Sequence, residues 1–407
     1  MNKKKIINDP VYGFITIPSE LVFDLISHHY FQRLRYIKQL AMTHIVYPGA
    51  LNTRFHHALG AMHLMSLAIE VLKNKGHEIS PEEEEAATIA ILLHDIGHGP
   101  FSHALEHTLA RGIKHEDISL LMMNKLNDEF GGALSKAISI FRGQYPRKFF
   151  CQLISGQVDL DRMDYLNRDS FYTGVSEGVI SFDRIIKMFN VVDDQLVIEE
   201  KGIYSVEKFL IARRLMYWQV YLHKTVIAGE QLLVKILERA KELTSKGQAL
   251  FATPALQHFL QNDVNESSFF NEEIHLAQFA KLDDQDIYAS IKVWVDSDDF
   301  ILSRLCRMLS ARKLYKVEIS NEPPDAQRVE KMASGIAQKL EINSNDLRYF
   351  VFTDTITNRA YNAESSNINI LLKNGSLLDI TKASDLSNLE SLDKTVKKHI
   401  LCYVRDI

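Results

Sequence analysis

The sequence predicts a mainly helical fold with a small α+β region at its C-terminal end. Apolar residues recur at helical spacing through most of residues 20 to 315. Beyond about residue 310 the pattern changes to short β-branched and aromatic runs separated by turn signals. At 407 residues, 46% of them hydrophobic and 24% charged, the chain can bury a large core. The expected organisation is a domain over residues 1–310, its helical core at about 50–170, and a small α+β region over 311–407.

Taken in order, Phe55, Leu59, Met62, Leu67 and Val71 mark a helix ending near Gly76. Ser80-Pro81 followed by four glutamates is a helix start, with proline in the first turn and acids against the dipole. That helix runs through Ala87, Ile91 and Leu92 to His94, and Gly97 and Gly99 then break it. A later helix spans Leu160 to Asn167, and residues 203–243 form another long helical stretch. In the latter, Lys208, Arg213, Arg214 and Lys224 are interleaved with Tyr217, Trp218, Tyr221 and His223; this reads equally as a wet cationic face or as an anion site. Strands are expected at Leu314–Ile319, Tyr349–Phe352 and Ile368–Leu372. The last turns through Lys373-Asn374-Gly375-Ser376 into Leu377–Ile380, and His399–Arg405 supplies a final strand.

A formal charge of −5 does not announce a general nucleic-acid binder. Residues 1–60 nevertheless carry Lys3, Lys4, Lys5, Arg33, Arg35, Lys38 and Arg54 against Asp9, Glu20 and Asp24, a surplus that a phosphate ligand would favour. Cys151, Cys306 and Cys402 are widely spaced and without a CxxC pattern, so a reduced, cytosolic setting is expected. No apolar run of signal-peptide length opens the chain, and no membrane span is expected. Repeats and low-complexity tracts are absent from the sequence.

The chemistry concentrates in Leu93–His103, LHDIGHGPFSH, which packs three imidazoles and a carboxylate into about two helical turns. With His57 upstream and Asp161 downstream, the order is His, then His-Asp, then Asp. His57, His94, Asp95 and Asp161 form a mixed nitrogen and oxygen ligand set suited to a divalent iron, manganese, zinc or nickel ion. Any one of the 16 histidines is more easily a satisfied core or surface group. The constellation reverses that reading, because unpaired polar groups in a core cost about 1 kcal/mol or more each. Such an ion is a Lewis acid toward phosphoryl oxygens and makes hydrolysis the natural reaction. His103 and Glu106, three apart, suit a general acid oriented by a carboxylate, and His98 and His115 can touch the same polyanion.

The order RFxHxLG (with His56 and His57), HDIGHGPFSH and Asp159–Asp169 (DxDRxDYxxRD) resembles the HD-domain phosphohydrolases. More narrowly it resembles the deoxynucleoside triphosphate (dNTP) triphosphohydrolases, including the branch with a sterile-alpha-motif domain. Asp9–Gly13, Phe31–Leu40 and Tyr221–Lys224 extend the likeness over about residues 5 to 240. The resemblance implies an HD-domain helical core and cleavage between the 5′ oxygen and the α-phosphate, releasing deoxynucleoside and triphosphate. By position it assigns the metal to His57, His94, Asp95 and Asp161, and catalysis to His103 with Glu106. It assigns phosphate contacts to His98, His115, Arg54, Arg162 and Arg213, and deoxyribose contacts to Gln39, Tyr165, Asp169 and Tyr221. Mg²⁺ accompanying the nucleotide, a nucleotide activator and a homo-dimer or tetramer are implied in the same way.

Nucleotide-activated members carry a guanine-reading acid just before the FQRLR segment, where this chain has Ser27-His28-His29. Lys5, Gln32 and Arg35 are retained, so a regulatory phosphate site is expected without guanine-specific activation. The 407 residues include no sterile-alpha-motif domain, and reduced tetramer-forming elements are expected. Two other readings compete: an HD phosphatase acting on nucleoside monophosphates or other phosphoesters, and a non-catalytic nucleotide sensor or nucleic-acid binder. The intact ligand set and the His103–Glu106 pair weigh against the last.

Overall fold

The computed structural model describes residues 5–101, 105, 108–109, 112–358, 367–386 and 395–405. Six helices build and surround the site: α1 Arg54–Asn74, α2 Pro81–Leu93, α3 His115–Glu129, α4 Leu160–Thr173, α5 Ile203–Met216 and α6 Lys224–Ser245. Shorter helices follow, among them Asp284–Trp294 and Phe300–Ser310. The mainly helical fold with a small α+β end is as the sequence predicts.

Local chemistry sets the helix boundaries. Ser80 Oγ accepts the Glu83 N–H at 3.2 Å while the Glu83 carboxylate accepts the Ser80 N–H at 3.0 Å, a reciprocal cap that starts α2. Glu83 also binds Tyr145 Oη at 2.8 Å and Arg147 Nη1 at 2.9 Å, which ties this helix start to the following layer. Asp159 caps α4 by accepting the Arg162 N–H at 2.8 Å, and Gly174 closes it with a left-handed φ of 73°. Helix α1 is buried along most of its length, and its composition alone would pass for a membrane span. With 67% of that window inside the fold, it is the central helix of the bundle.

Residues 203–243 are not one continuous helix. A π-helical turn at Tyr217–Tyr221 ends α5, and His223 Nδ1 accepts the Thr225 N–H at 3.2 Å to start α6 afresh. The bulky run Tyr217-Trp218-Gln219-Val220-Tyr221 favours helix weakly, and the break rotates Tyr217 and Tyr221 toward a cavity.

Among the described residues, nine short strands make three sheets. β1 Ile6–Asp9 and β2 Gly13–Thr16 form a hairpin. β3 Phe189–Val192 and β4 Gln195–Glu199 form a second one, turning at Asp193 and Asp194 with φ of 49° and 57°. β5 Lys316–Ser320, β9 Val396–Tyr403 and β6 Val351–Asn358 make an antiparallel sheet with β9 in the middle. β7 Asn369–Leu371 and β8 Leu377–Asp379 turn at Gly375, φ 84°, as the Asn-Gly signal predicts. β7 then pairs in parallel with β4, Ile198 opposite Ile370, so strands from both sides of residue 310 share one sheet. A helix at Ala326–Leu340 completes the C-terminal region. Leu59, Leu92, Leu166, Phe209, Leu237, Leu305 and Ile400 belong to one continuous apolar core. The three cysteines are free.

Candidate metal centre and substrate cavity

His57 is placed by a chain of buried polar groups. Its Nδ1 lies 2.7 Å from Asp164 Oδ2 on α4. Arg168, one turn further along, donates from Nε at 2.9 Å and Nη2 at 3.0 Å to the same carboxylate, and from Nη1 at 2.7 Å to Asp9. All four side chains are buried. Gly60 is required here: a methyl group at that position would collide with the Asp164 carboxylate and the Arg168 guanidinium. Donation from Nδ1 to Asp164 leaves the Nε2 lone pair bare, as a metal ligand needs.

His94 is set the same way. It caps α2, its Nδ1 lies 2.6 Å from the Ile91 carbonyl, and its Nε2 is therefore the free base. Asp161, in the first turn of α4, puts Oδ1 3.1 Å from His57 Nε2 and 3.4 Å from His94 Nε2. Both Nε2 atoms are buried and make no hydrogen bond. Burial alone would depress His57, yet Asp161 and Asp164 outweigh it and lift it to about 10. His94 is raised against burial by Asp95 and Asp161, and Asp161 is held below the usual carboxylate range despite burial. The pocket is thus built to receive positive charge, and two orphaned imidazole nitrogens with one carboxylate fit a divalent ion.

The fourth predicted ligand, Asp95, stands at the edge of this triad. Its Oδ1 is 3.4 Å from His94 Nε2 and its Oδ2 3.8 Å from His57 Nε2. Oδ2 also accepts from Arg54 Nη1 at 2.6 Å, and Oδ1 faces His98 Nε2 at 3.3 Å. Asp95, His98 and His115 form a second ligand-like group, with the His98 and His115 rings stacked 3.7 Å apart. Burial, reinforced by Arg54, holds His98 well below the usual imidazole range. The backbone of this loop is clamped: Arg33 donates to the Ile96 carbonyl at 3.0 Å and the His98 carbonyl at 2.8 Å. Ser119 Oγ bridges the Gly97 N–H and the His94 carbonyl, both at 2.9 Å. Gly97 serves this close approach, since any side chain would strike the His115 carbonyl and the Ser119 amide.

Gln39, Arg54 and Tyr221 share the wall of a cavity of ≈ 280 Å³, together with Lys38, Phe101, Tyr217 and Glu230. Asp169 accepts from Asn52 Nδ2 at 3.1 Å and Tyr221 Oη at 3.0 Å, and the Tyr165 ring meets Tyr221 edge-on at 6.2 Å. Burial pushes Asp169 up to about 7 despite both hydrogen bonds. Arg213 is buried, with Nε and Nη1 lacking partners, and it acts electrostatically on Tyr165. Arg162 is held back instead, paired to Asp159 and to the Gly156 carbonyl at 2.6 Å. Gln32 accepts from Arg35 Nε at 2.8 Å, Arg35 stacks on Phe55, and Lys5 lies over Phe23. His103 and Glu106 lie outside the described residues.

Sequence reasoning missed Asp164, Arg168, Asp9 and Arg33 as functional residues. The first two carried a signal: they stand four apart inside the DxDRxDYxxRD segment, the spacing of one helical face. Asp9 and Arg33 fall in segments that extend the family likeness, but no residue near them names their partners, which are distant in sequence.

Residues 54–169 match the HD domain family and residues 180–254 the HD-associated region. An uncharacterized Bacillus subtilis protein, YwfO, is 32% identical over 100% of this chain and 94% of its own length. A Dictyostelium discoideum SAMHD1 homolog, named a deoxynucleoside triphosphate triphosphohydrolase, is 35% identical over 54% of this chain but only 46% of its own length. The crystal structure of a phosphohydrolase from Bacteroides thetaiotaomicron superposes with a TM-score of 0.96 at 52% identity, covering 99% of this chain and 100% of that one. HD domains bind divalent metals, which agrees with the triad. With its core, its ligand set and a full-length relative all in agreement, the chain belongs to the HD-domain phosphohydrolase family.

Proposed function

We propose that the protein hydrolyses dNTPs at the α-phosphate, releasing deoxynucleoside and inorganic triphosphate. The observation that carries this reading is the buried Arg213 guanidinium, unpartnered at Nε and Nη1, one helical turn before Tyr217, which lines a cavity that Arg54 joins to the metal triad. A buried cation without a counter-charge costs several kcal/mol, so the pocket is complete only with an anion in it. Arginine forks suit phosphate oxygens.

A divalent ion held by His57, His94 and Asp161, with Asp95 at its edge, would polarise a phosphoryl oxygen and activate water. Arg54 and Arg213 then bind the polyphosphate, and the stacked His98–His115 pair lies along it. Asp169, braced by Asn52 and Tyr221, accepts from the sugar 3′-hydroxyl, while the Tyr221 ring closes the face where a 2′-hydroxyl would sit. The role of delivering the proton to the departing 5′ oxygen falls to His103, with Glu106, three residues on in sequence, as its orienting carboxylate. Cytosolic location, a nucleotide activator and a homo-oligomer belong to the same reading.

A cavity of ≈ 280 Å³ is small beside the ~300–1,000 Å³ of most ligand sites, and this favours a second reading, hydrolysis of nucleoside monophosphates. One assay separates the two. Purified protein with Mn²⁺ is offered each dNTP and each deoxynucleoside monophosphate, and the phosphate product is identified. Triphosphate supports the first reading, orthophosphate from monophosphates supports the second, and pyrophosphate from dNTPs removes both.

A further inference from the structure

We infer that Glu230 reads the nucleobase and that the base it selects is guanine. The inference rests on the nucleotide reading above, and it starts from the charges on the cavity wall. Lys38 is neutralised by Asp284 at 3.1 Å, and Arg54 by Asp95 at 2.6 Å. Glu230, half-buried, has no hydrogen bond or ion pair among the described residues, although it faces the same space as Gln39, whose Oε1 is buried without a partner.

Its position is built into α6. Gly229 lets the helix approach Met42 and Ile45 closely, since a Cβ there would lie 3.0 Å from Ile45 Cδ1, and Leu233 makes the next turn of the wall apolar. Arg54 occupies the phosphate side, and Tyr221 with Asp169 the sugar side. The base is what remains for Glu230. Burial without any opposing charge pushes its carboxyl up to about 7, so the carboxylate lacks donors that a ligand can supply. Guanine presents two adjacent donors, N1–H and the 2-amino group, which one carboxylate accepts together; the other bases do not.

Deoxynucleosides carry no phosphate, so their binding tests this apart from turnover. Calorimetry at pH 8 with deoxyguanosine, deoxyadenosine, deoxycytidine and thymidine should show deoxyguanosine bound at least about tenfold tighter than the rest, as paired charged hydrogen bonds imply. Glu230→Gln should erase that margin, and Glu230→Asp should restore part of it. An unchanged ranking in Glu230→Gln, or no deoxyguanosine preference in the wild type, overturns the inference. If dNTPs yield no triphosphate while the Glu230-dependent margin persists, the reaction proposed above fails and the base reading stands.

Discussion

Two groups of three ligand-like side chains lie side by side in this protein, and they are supported differently. His57, His94 and Asp161 are backed by Asp164, Arg168 and Asp9, all buried, with each imidazole tautomer fixed by a partner behind it. Asp95, His98 and His115 share partners instead: Asp95 is divided between Arg54, His98 and the triad, and the His115 side chain is 26% exposed. The first arrangement suits an ion that must stay in one place. The second suits a polyanion that comes and goes, since its charges are already satisfied and can exchange partners at little cost.

The largest expected effect breaks the first group outright. Asp161→Ala removes the carboxylate between the two orphaned Nε2 atoms, so metal content should fall to background and turnover by about 10³-fold or more, several kcal/mol of lost Lewis-acid stabilisation. Metal analysis and steady-state rates check this, and an active variant would show that the triad does not hold the ion. Next comes the support behind it. Arg168→Met leaves Asp164 buried without its cation, which should cost about 3–5 kcal/mol in urea unfolding. Metal affinity should drop about 10–100-fold as His57 loses its orientation.

The cavity side responds to pH. Asp169 is raised to about 7 by burial, whereas an unfolded aspartate titrates near ~3.9. Between those values the folded protein holds a proton that the unfolded chain has released, so the contribution to stability is lost as pH rises from ~4 to ~7. Asp169→Asn removes this dependence. The variant should therefore gain on the wild type by about 2–3 kcal/mol between pH 5 and pH 8, measured as paired urea midpoints. An equal difference at the two pH values would show that Asp169 is ionised throughout.

The same division explains what the sequence could reveal. His57, His94 and Asp161 were legible because metal chemistry restricts residue type and because each sits at a helix position that a cap or a glycine marks, such as Ser80 or Gly97. The start of α2 at Ser80-Pro81 and the β7–β8 hairpin were legible for the same local reason, whereas the α4 helix runs on past the expected Asn167 to Thr173. Arg33 was not: it works through two backbone carbonyls more than sixty residues away, and nothing near it in sequence records them. The break at Tyr217–Tyr221 was also hidden, because an apolar periodicity continues through it and only the packing of the tyrosines onto the cavity resolves it. Phe189–Glu199 shows the converse, a legible signal passed over: Asp193-Asp194 between two alternating runs is a hairpin turn inside a helical region.

The smallest effect sharpens the comparison most. His115→Ala removes one ring of the His98 stack without touching the triad or the buried chain behind it. Stability should change by under ~1 kcal/mol, as for other partly exposed side chains. Metal content should stay at the wild-type level, and kcat should fall about tenfold, a loss of ~1.4 kcal/mol in transition-state binding. His57→Ala, replacing a fully buried ring, should instead lose the metal. If His115→Ala also loses it, the two groups act as one centre, and Asp95, which lies within 3.4 Å of both His94 and His98, is the residue that joins them.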